Sequence, residues 1–385
     1  MTSPPSGRSE SQLALVLSGG GARAAYQVGL LRALASRRPD LEVPILTGVS
    51  AGAINAAFLA AHPGSFRDSV EALTAFWTRL DVSAVFRTDT PSLAGNLLRW
   101  GFRLVSGGGR LAPEVRGLVD PTPLRRLLEQ SLEAAPDGTI PGLARAMERR
   151  RLHSFTVTTS NYSTGQSVAW AMGRAVESWE RPDRRSVPAP VTVDHVMASS
   201  ALPLFFPAVP LDGSWHGDGG IRQTAPLSPA IHLGADRILA ISTRYRRTVT
   251  EADRPAVRGY PPPLQILGQL LNAIFLDMLD QDCLRVERLN ALVCHLPEAK
   301  RRGLRPLEVT AVRPSVDLGA LAAEVEPELP WLFRHLVRSL GSRQTASPDL
   351  LSLVLFQADY CRRLIEIGEA DAEERMAEIA PLLDA

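Results

Sequence analysis

The sequence predicts an α/β fold built around a parallel sheet, and its N-terminal part carries the evidence. Short apolar runs at Leu13–Leu17 and 44–49 have the length and composition of buried strands. Each is followed by a glycine-containing turn and then by a segment with helical character, at 22–36 and 51–61. Because crossovers between parallel strands are right-handed, this alternation predicts that the two strands run side by side in one sheet.

The rest of the chain continues the alternation less regularly. Further elements are predicted as strands at 155–161, 237–243, 292–296 and 307–312, and as helices at 261–289 and 349–368. Between 82 and 116 the pattern breaks down into proline, glycine and arginine with scattered large apolar residues.

Composition is that of a globular protein with no evident affinity for nucleic acid. Hydrophobic residues make up 45% and charged residues 22% of the 385 residues, which is typical of globular domains. The formal net charge is +1, so the chain has no strong positive field for binding a polyanion. We therefore expect no nucleic-acid partner. The sequence gives no indication of an oligomeric state.

The three cysteines, Cys283, Cys294 and Cys361, are widely spaced and odd in number. This predicts neither a disulfide framework nor a zinc site, and it favours a reducing compartment. Residues 1–11 are polar, and we interpret them as a disordered leader without the apolar core of a signal peptide. No stretch reaches the roughly 18 apolar residues of a membrane span, so we predict a cytoplasmic protein whose membrane contact is peripheral at most.

The segment 48–52 reads Gly-Val-Ser-Ala-Gly and fits the G-x-S-x-G pattern of a nucleophile elbow. It lies between a predicted strand and a predicted helix, as the motif requires. Gly48 and Gly52 leave room for the strained backbone, and the helix N-terminus favours a developing alkoxide on Ser50. The alternative is a tight turn in which Ser50 merely caps the helix.

Three consecutive glycines, Gly19, Gly20 and Gly21, occupy the other strand-to-helix turn, and Arg23 follows them. Consecutive N–H groups at the start of a helix bind anions, whether a phosphate or a tetrahedral oxyanion. The same run, extended to Ala24, also satisfies the dinucleotide fingerprint G-x-G-x-x-G/A. A nucleotide site is therefore the competing interpretation.

The nucleotide interpretation fails on the position of its acidic residue. The fingerprint expects an acidic side chain at the carboxyl end of the second strand. Asp40 and Glu42 precede that strand and so lie at its wrong end, whereas Ser50 follows it. Because neighbouring parallel strands present their carboxyl ends at the same edge of a sheet, we expect the glycine N–H groups to lie beside Ser50.

A nucleophilic serine needs a group that takes its proton. His232, His295 and His335 occur in the chain order of a Ser-Asp-His hydrolase, but their settings favour ordinary core or surface histidines. Asp218 stands in Gly-Asp-Gly-Gly, where the small neighbours expose the carboxylate and let the backbone approach closely. The alternative for Asp218 is a hairpin turn, because Asp-Gly is also a turn signal.

The glycine run with its arginine, the Gly-Val-Ser-Ala-Gly segment and Asp-Gly-Gly follow one another along the chain. Between and after them stand Ala-Ser-Ser-Ala-Leu-Pro at 198–203, Phe-Pro at 206–207, Pro-Leu-Ser-Pro-Ala at 226–230 and Gly-Ala-Asp at 234–236. In this order the motifs resemble those of the patatin-like phospholipase family, including its bacterial members. The resemblance extends over residues 13–243, and a weaker similarity is present at 364–372.

The resemblance implies a three-layer αβα sandwich with a mainly parallel central sheet. It implies a serine acyl hydrolase acting on phospholipids or related lipids through a Ser–Asp dyad, with Ser50 as nucleophile and Asp218 as base. This chemistry requires no cofactor, and no cluster of metal ligands is evident in the sequence. A Ser-Asp-His esterase and a non-catalytic lipid-binding scaffold remain the alternatives.

The resemblance also assigns the glycine loop. Residues 19–21 correspond to the oxyanion hole, and Arg23 corresponds to the basic residue of that loop. Ala24 stands where the family frequently has glycine, and Thr224 stands where asparagine is expected. Neither departure removes a catalytic group, although Ala24 narrows the room near the loop.

For domain organisation we predict a leader at 1–11, a catalytic domain at 12–315 with a lid or insertion at 82–117, and a helical extension at 316–385 packed on it. Within the insertion, residues 96–105 interleave large apolar side chains with arginines. Trp100 and Phe102 would enter a membrane interface, and Arg99 and Arg103 would meet phosphate. The alternative is an ordinary helix packed on the core.

Overall fold

The computed structural model describes residues 12–87, 95, 98–99, 102–103, 105–106, 116–174, 176–253, 260–261, 266, 269–270, 278–325 and 349–384. Within these residues a ten-stranded sheet forms the centre of the molecule, and helices cover it.

The strands are β1 (Leu13–Leu17), β2 (Ile45–Val49), β3 (Ser154–Asn161), β4 (Ser167–Gly173), β5 (Glu180–Arg181), β6 (Arg184–Pro188), β7 (Val209–Leu211), β8 (Ser214–Asp218), β9 (Arg237–Ile241) and β10 (Glu308–Val312). Their order is β10-β9-β1-β2-β3-β4-β6-β5, and β8 pairs with both β3 and β7. The five strands from β10 to β3 are mutually parallel, and β4 and β8 run antiparallel to β3. The predicted parallel pairing of the first two strands is confirmed.

The helices are α1 (Ala25–Arg37), α2 (Ala51–Ala61), α3 (Phe66–Arg79), α4 (Val82–Val85), α5 (Thr122–Ser131), α6 (Pro141–Glu148), α7 (Val193–Ser199), α8 (Ser228–His232), α9 (Val249–Ala252), α10 (Met278–Val293), α11 (Leu318–Glu324), α12 (Asp349–Val354), α13 (Ala358–Glu374) and α14 (Met376–Asp384). Short 3-10 helices follow β1 and β8, at Gly21–Ala24 and Gly219–Arg222. No helix within these described ranges has the length and apolar character needed to cross a membrane.

The central sheet is buried on both faces, as alternate residues of β1 demonstrate. Leu13, Leu15 and Leu17 belong to the larger apolar cluster, which includes α1, α2 and α13. Ala14 and Val16 belong to the second cluster, with side chains of α8 and α10. Since successive side chains of a strand point to opposite faces, the helices form one layer on each side. The three-layer αβα arrangement is thereby confirmed.

Helix α13, near the C-terminus, packs directly against α1. A Cβ placed on Gly29 would overlap the carbonyl oxygen of Ile365, and one placed on Gly368 would overlap that of Tyr26. The two helices therefore approach at backbone distance, which only glycine permits at these positions. The Tyr26 hydroxyl also donates to Asp371 at 2.9 Å, inside the interface.

Two predicted elements differ from the structure. The strand predicted at 292–296 is wrong, because α10 extends to Val293 and a turn follows it. A short apolar run at the end of an amphipathic helix has the same local pattern as a buried strand. The helix predicted at 349–368 is interrupted at 355–357 and continues as α13 to Glu374. The predicted helix at 261–289 falls partly on residues outside the described ranges, and its continuous described part begins at Met278.

Candidate functional site

Ser50 occupies the sharp turn between β2 and α2. Its backbone has φ 55° and ψ −133°, a left-handed conformation that non-glycine residues rarely adopt. A Cβ on Gly48 would lie 2.5 Å from the carbonyl oxygen of Gly52, and one on Gly52 would overlap the carbonyl oxygen of Leu17. Glycine is therefore required on both sides of the serine. The Ser50 hydroxyl makes no capping hydrogen bond to α2, so it is available for another partner.

Strand register brings Asp218 to Ser50. Val49 lies opposite Thr158 in the β2–β3 pair, and Asp218 lies opposite Thr159 in the β8–β3 pair. Because Thr158 and Thr159 are consecutive, β2 and β8 approach each other end to end along the same edge of β3. Ser50, the residue after Val49, therefore meets the end of β8. Its Oγ donates a hydrogen bond to Asp218 Oδ2 at 2.6 Å.

The Asp218 carboxyl group is held in a buried site. The side chain is 1% exposed, and its Oδ1 accepts a hydrogen bond from the Gly220 N–H at 2.9 Å. Burial raises the pKa of Asp218 to about 7, against the opposing effect of the hydrogen bonds from Ser50 and the Gly220 N–H. A carboxylate with a pKa near neutrality is a stronger base than an exposed aspartate, and near neutral pH it can both accept and return a proton.

Ser199 and Ser200 fix the backbone of the elbow. The Ser50 N–H donates to Ser199 Oγ at 2.9 Å, and that hydroxyl donates to the carbonyl oxygen of Thr158 at 2.6 Å. The Ser200 hydroxyl donates to the carbonyl oxygen of Ser50 at 3.1 Å. Both peptide groups of the strained serine are thus satisfied by the segment that ends α7. Both serines belong to the segment 198–203 that resembles the family, and the resemblance assigns them no role.

The glycine loop lies against Ser50. A Cβ on Gly19 would be 2.9 Å from Ser50 Cβ, so Gly19 packs closely against the Ser50 side chain. Gly20 and Gly21 have φ of 149° and 55°, conformations that favour glycine. Among hydrogen bonds within the described part of the chain, neither the Gly20 N–H nor the Gly21 N–H is a donor. The loop therefore presents backbone N–H groups at the start of a helix beside the serine, as an oxyanion hole would require.

Arg23 has a different role in the loop from that of the glycines. Its side chain is 3% exposed, and its Nε donates to Ser352 Oγ at 2.7 Å. Its N–H donates to the carbonyl oxygen of Gly20 at 3.1 Å and so is already used inside the loop. Arg23 therefore connects the glycine loop to α12.

A buried polar network lies behind the glycine loop, and sequence reasoning missed it. The Trp77 indole N–H donates to Asn55 Oδ1 at 2.7 Å, and the Asn55 amide donates to Gln27 Oε1 at 2.9 Å and to the Ala24 carbonyl at 3.1 Å. The Gln27 amide donates to the Ser18 carbonyl at 2.8 Å. Asn55 and Gln27 are fully buried, so this network fixes the loop from both of its ends.

A largely apolar pocket opens at Ser50. Its walls include Ile54, Phe76, Trp77, Leu80, Val85, Leu202, Leu353, Val354 and Phe356, and it reaches Gly20, Gly21 and Asp218. Its cavity volume is about 50 Å³, so the space beside the serine is narrow. Such a lining suits a hydrocarbon chain placed next to the serine.

A second, larger cavity adjoins this pocket and shares Leu124, Ser200 and Phe206 with it. Its lining is more polar and includes three arginines and one aspartate, Arg99, Arg116, Arg125 and Asp120. The site thus has an apolar side and a side on which arginines outnumber acidic residues, and Ser200, which contacts the serine elbow, lines both.

Half of the predicted lid at 96–105, Trp100 included, lies outside the described residues. Of its described members, Phe102 is 58% exposed and Arg103 is exposed, and Arg99 lines the larger cavity.

The three histidines considered as alternative bases have other surroundings. His232 stacks on Trp179 with ring centroids 4.7 Å apart, and His295 is exposed beyond the end of α10. His335 lies outside the described residues. The Ser50 hydroxyl meets Asp218 directly, without an intervening imidazole.

His216, two residues before Asp218, supports the strand pairing. Its ring contacts the Thr159 hydroxyl at 2.9 Å and the Asn161 amide at 3.3 Å, and it packs near Trp170. Burial lowers the pKa of His216 to about 4, so the ring is neutral at physiological pH. The neutral His216 ring therefore helps to hold β8, which ends at Asp218, against β3.

Within the described ranges, no group of three or more histidine, cysteine, aspartate or glutamate side chains could hold a metal ion.

Comparison with known proteins agrees with the motif order. The model of the patatin-like phospholipase family matches residues 15–231, more than half of the chain. This range contains the glycine loop, Ser50 and Asp218. A search of curated protein sequences finds no match.

Solved structures of similar fold include VipD from Legionella pneumophila, at 14% identity and a TM-score of 0.35 over 93% of this chain and 67% of that one. Human GIVD cytosolic phospholipase A2 matches at 14% identity and a TM-score of 0.47, over 97% of this chain and 59% of the human one. ExoU of Pseudomonas aeruginosa, in its complex with SpcU, matches at 15% identity and a TM-score of 0.27, over 89% and 74%. Similarity at this level carries no information about substrate.

Proposed function

The chain belongs to the patatin-like phospholipase family, a family of lipid acyl hydrolases, and from this premise we propose that it cleaves lipid esters through a Ser50–Asp218 dyad. The observation that carries the proposal is the 2.6 Å hydrogen bond from Ser50 Oγ to a buried Asp218. The distance and the pKa of Asp218 both support a role as the base, because the carboxylate is within proton-transfer distance of Ser50 Oγ and basic enough to act near neutral pH.

The first half of the proposed reaction forms an acyl-enzyme. Ser50 Oγ attacks the ester carbonyl carbon while its proton passes to Asp218. The carbonyl oxygen becomes an oxyanion, which the N–H groups of Gly20 and Gly21 stabilise. The bond to the alcohol oxygen then breaks, and the alcohol departs with the proton from Asp218.

The second half reverses these roles with water. Asp218 takes a proton from a water molecule, whose oxygen attacks the acyl carbonyl carbon. Collapse of the second tetrahedral intermediate breaks the bond to Ser50 Oγ, which recovers the proton from Asp218 as the fatty acid leaves. Every proton passes between Ser50, Asp218, water and substrate, so the cycle needs no cofactor.

The two cavities suggest how a lipid would lie. The apolar pocket would take the acyl chain, because it removes hydrocarbon from water next to the serine. The arginine-lined cavity would take the alcohol part of the ester. We further propose that the enzyme meets its substrate at a membrane surface by peripheral contact.

The pKa of Asp218 predicts the pH dependence of the reaction. The base must be ionised in the free enzyme, so kcat/KM should fall tenfold per pH unit below about pH 7. The measurement is the rate with p-nitrophenyl butanoate from pH 5 to 9, followed where p-nitrophenol and its anion absorb equally. A rate that stays level down to pH 5 would contradict a base with a raised pKa.

Covalent labelling tests the nucleophile independently of any lipid. We expect a fluorophosphonate to react with Ser50, with loss of fluoride and formation of a bond between Oγ and phosphorus, because only an activated serine reacts in this way. The adduct is located by mass spectrometry of the tryptic peptide. Ser50→Ala should abolish labelling, and Ser36→Ala, which removes an exposed hydroxyl of α1 away from the site, is the control that should keep it. An intact, folded protein that neither labels nor hydrolyses the ester would instead be a lipid-binding scaffold.

A further inference from the structure

One wall of the apolar pocket comes from a segment far along the chain from the matched family residues. Residues 351–356 comprise the end of α12 and the turn after it, whereas the matched range ends at residue 231. Leu353, Val354 and Phe356 nevertheless line the pocket together with Ser50 and Gly21. The C-terminal part of the chain therefore completes the site that the family motifs begin.

The same segment is in contact with the glycine loop. The Arg23 guanidinium donates to Ser352 Oγ at 2.7 Å, and both residues are buried. Gly21 packs so closely on Leu353 that a Cβ on the glycine would overlap the leucine carbonyl oxygen. The segment thus has a fixed position relative to the N–H groups beside Ser50.

Phe356 is held in place on both sides. Its ring stacks on Trp77 with centroids 6.4 Å apart and an interplanar angle of 26°, and Trp77 is itself fixed by its hydrogen bond to Asn55. Directly after it, the Gln357 carbonyl accepts the Cys361 N–H at 2.8 Å at the start of α13. A ring anchored in this way is a stable wall that a substrate chain cannot easily displace.

The neighbouring Leu355 does not share this position. It is fully buried in the larger apolar cluster but is not part of the pocket lining. Adjacent residues of one segment therefore serve two purposes, with Leu355 packing in the core and Phe356 facing the pocket. This difference provides a control for substitutions in the segment.

We infer that Phe356, with Leu353 and Val354, determines the length of acyl chain that the enzyme accepts. The inference rests on the proposed function, because it assigns the acyl chain to the pocket at Ser50. Each methylene that fits against apolar walls should raise kcat/KM about 4-fold, and a chain that reaches the Phe356 ring gains nothing more or is excluded. Residues 351–356, and not the dyad, would then determine which acyl chains the enzyme accepts.

The test is the ratio of kcat/KM for p-nitrophenyl decanoate to that for p-nitrophenyl butanoate. Phe356→Ala should raise this ratio by about 10-fold or more relative to wild type, since it opens space for several methylenes. Phe356→Leu should raise it less, and Phe356→Trp should lower it. Leu355→Ala removes a buried side chain from the same segment without enlarging the pocket, so it should leave the ratio within about 2-fold of wild type.

The outcomes separate this inference from the proposed function. If wild type is active and labels with the fluorophosphonate but the Phe356 variants keep its chain-length profile, the inference is overturned while the dyad stands. If Leu355→Ala shifts the ratio as strongly as Phe356→Ala, general loosening explains the change, and the inference is again overturned. If wild type shows neither hydrolysis nor labelling, the proposed function itself fails.

Discussion

Asp218→Asn should lower kcat by about 10³- to 10⁴-fold, because among the described residues Asp218 is the only group in contact with the Ser50 hydroxyl that can take its proton. The amide is nearly isosteric with the carboxylate. Its oxygen can still accept the Gly220 N–H, and its nitrogen can donate to Ser50 Oγ. The hydrogen-bond positions are thus kept while the base is lost.

The same substitution should not destabilise the protein at alkaline pH. The pKa of Asp218 is raised from 3.8 to about 7 in the folded state, so the folded protein holds a proton that the unfolded chain has already released between those values. Wild type therefore loses stability as the pH rises from about 4 to about 7, by roughly 4 kcal/mol in total. Asparagine does not titrate. We expect Asp218→Asn to melt at or above the wild-type Tm at pH 8.

Asp282→Asn is the matched control for this experiment. Asp282 is also a buried aspartate whose pKa is raised by burial, and it accepts the Leu227 N–H at 2.9 Å, but it is not in the serine site. Its replacement should leave kcat within about 2-fold of wild type. Steady-state kinetics with p-nitrophenyl butanoate and thermal melting at pH 8 suffice for all three proteins. A stable Asp218→Asn protein with near wild-type kcat would exclude Asp218 as the base.

The positions of Ser50 and Asp218 could be predicted because each stands in a local glycine pattern whose backbone requirements are specific. The sequence does not reveal how the two meet. That depends on β8 joining the end of β3, where Thr158 and Thr159 offer consecutive positions to β2 and β8. Pairing between strands so distant in the chain leaves no local signature.

The supporting residues were less accessible to sequence reasoning. Gln27 and Asn55 lie in small-residue or apolar helices, where a polar side chain could equally face solvent. Their partners are carbonyl groups and an indole that only tertiary packing brings together. Phe356 likewise lies in an apolar run, and nothing local distinguishes it from Leu355 beside it. An apolar run predicts that its side chains are buried, but it does not show which of them lines a pocket and which packs in the core.

Gly21→Ala should have the second largest effect on turnover, because two constraints coincide at this residue. Its φ of 55° is left-handed, which costs alanine about 1–2 kcal/mol. The added methyl group would also overlap the carbonyl oxygen of Leu353, which is backbone and cannot rotate away. Either the glycine loop or α12 must shift, and the loop carries the N–H groups assigned to the oxyanion. Loss of one such donor lowers kcat by about 10²- to 10³-fold.

Gly138→Ala is the control that has the strain of a left-handed backbone without the shift of the glycine loop or α12. Gly138 has φ 82°, but a Cβ there would lie 3.9 Å from its nearest neighbour, Thr192, at an ordinary contact distance. Gly138→Ala should therefore lose stability and keep kcat, whereas Gly21→Ala should lose both when assayed well below its Tm. If Gly21→Ala instead retained wild-type kcat, the loop would not supply a catalytic donor. The oxyanion would then need another partner, and contact of the loop with Leu353 would serve only to close the acyl pocket.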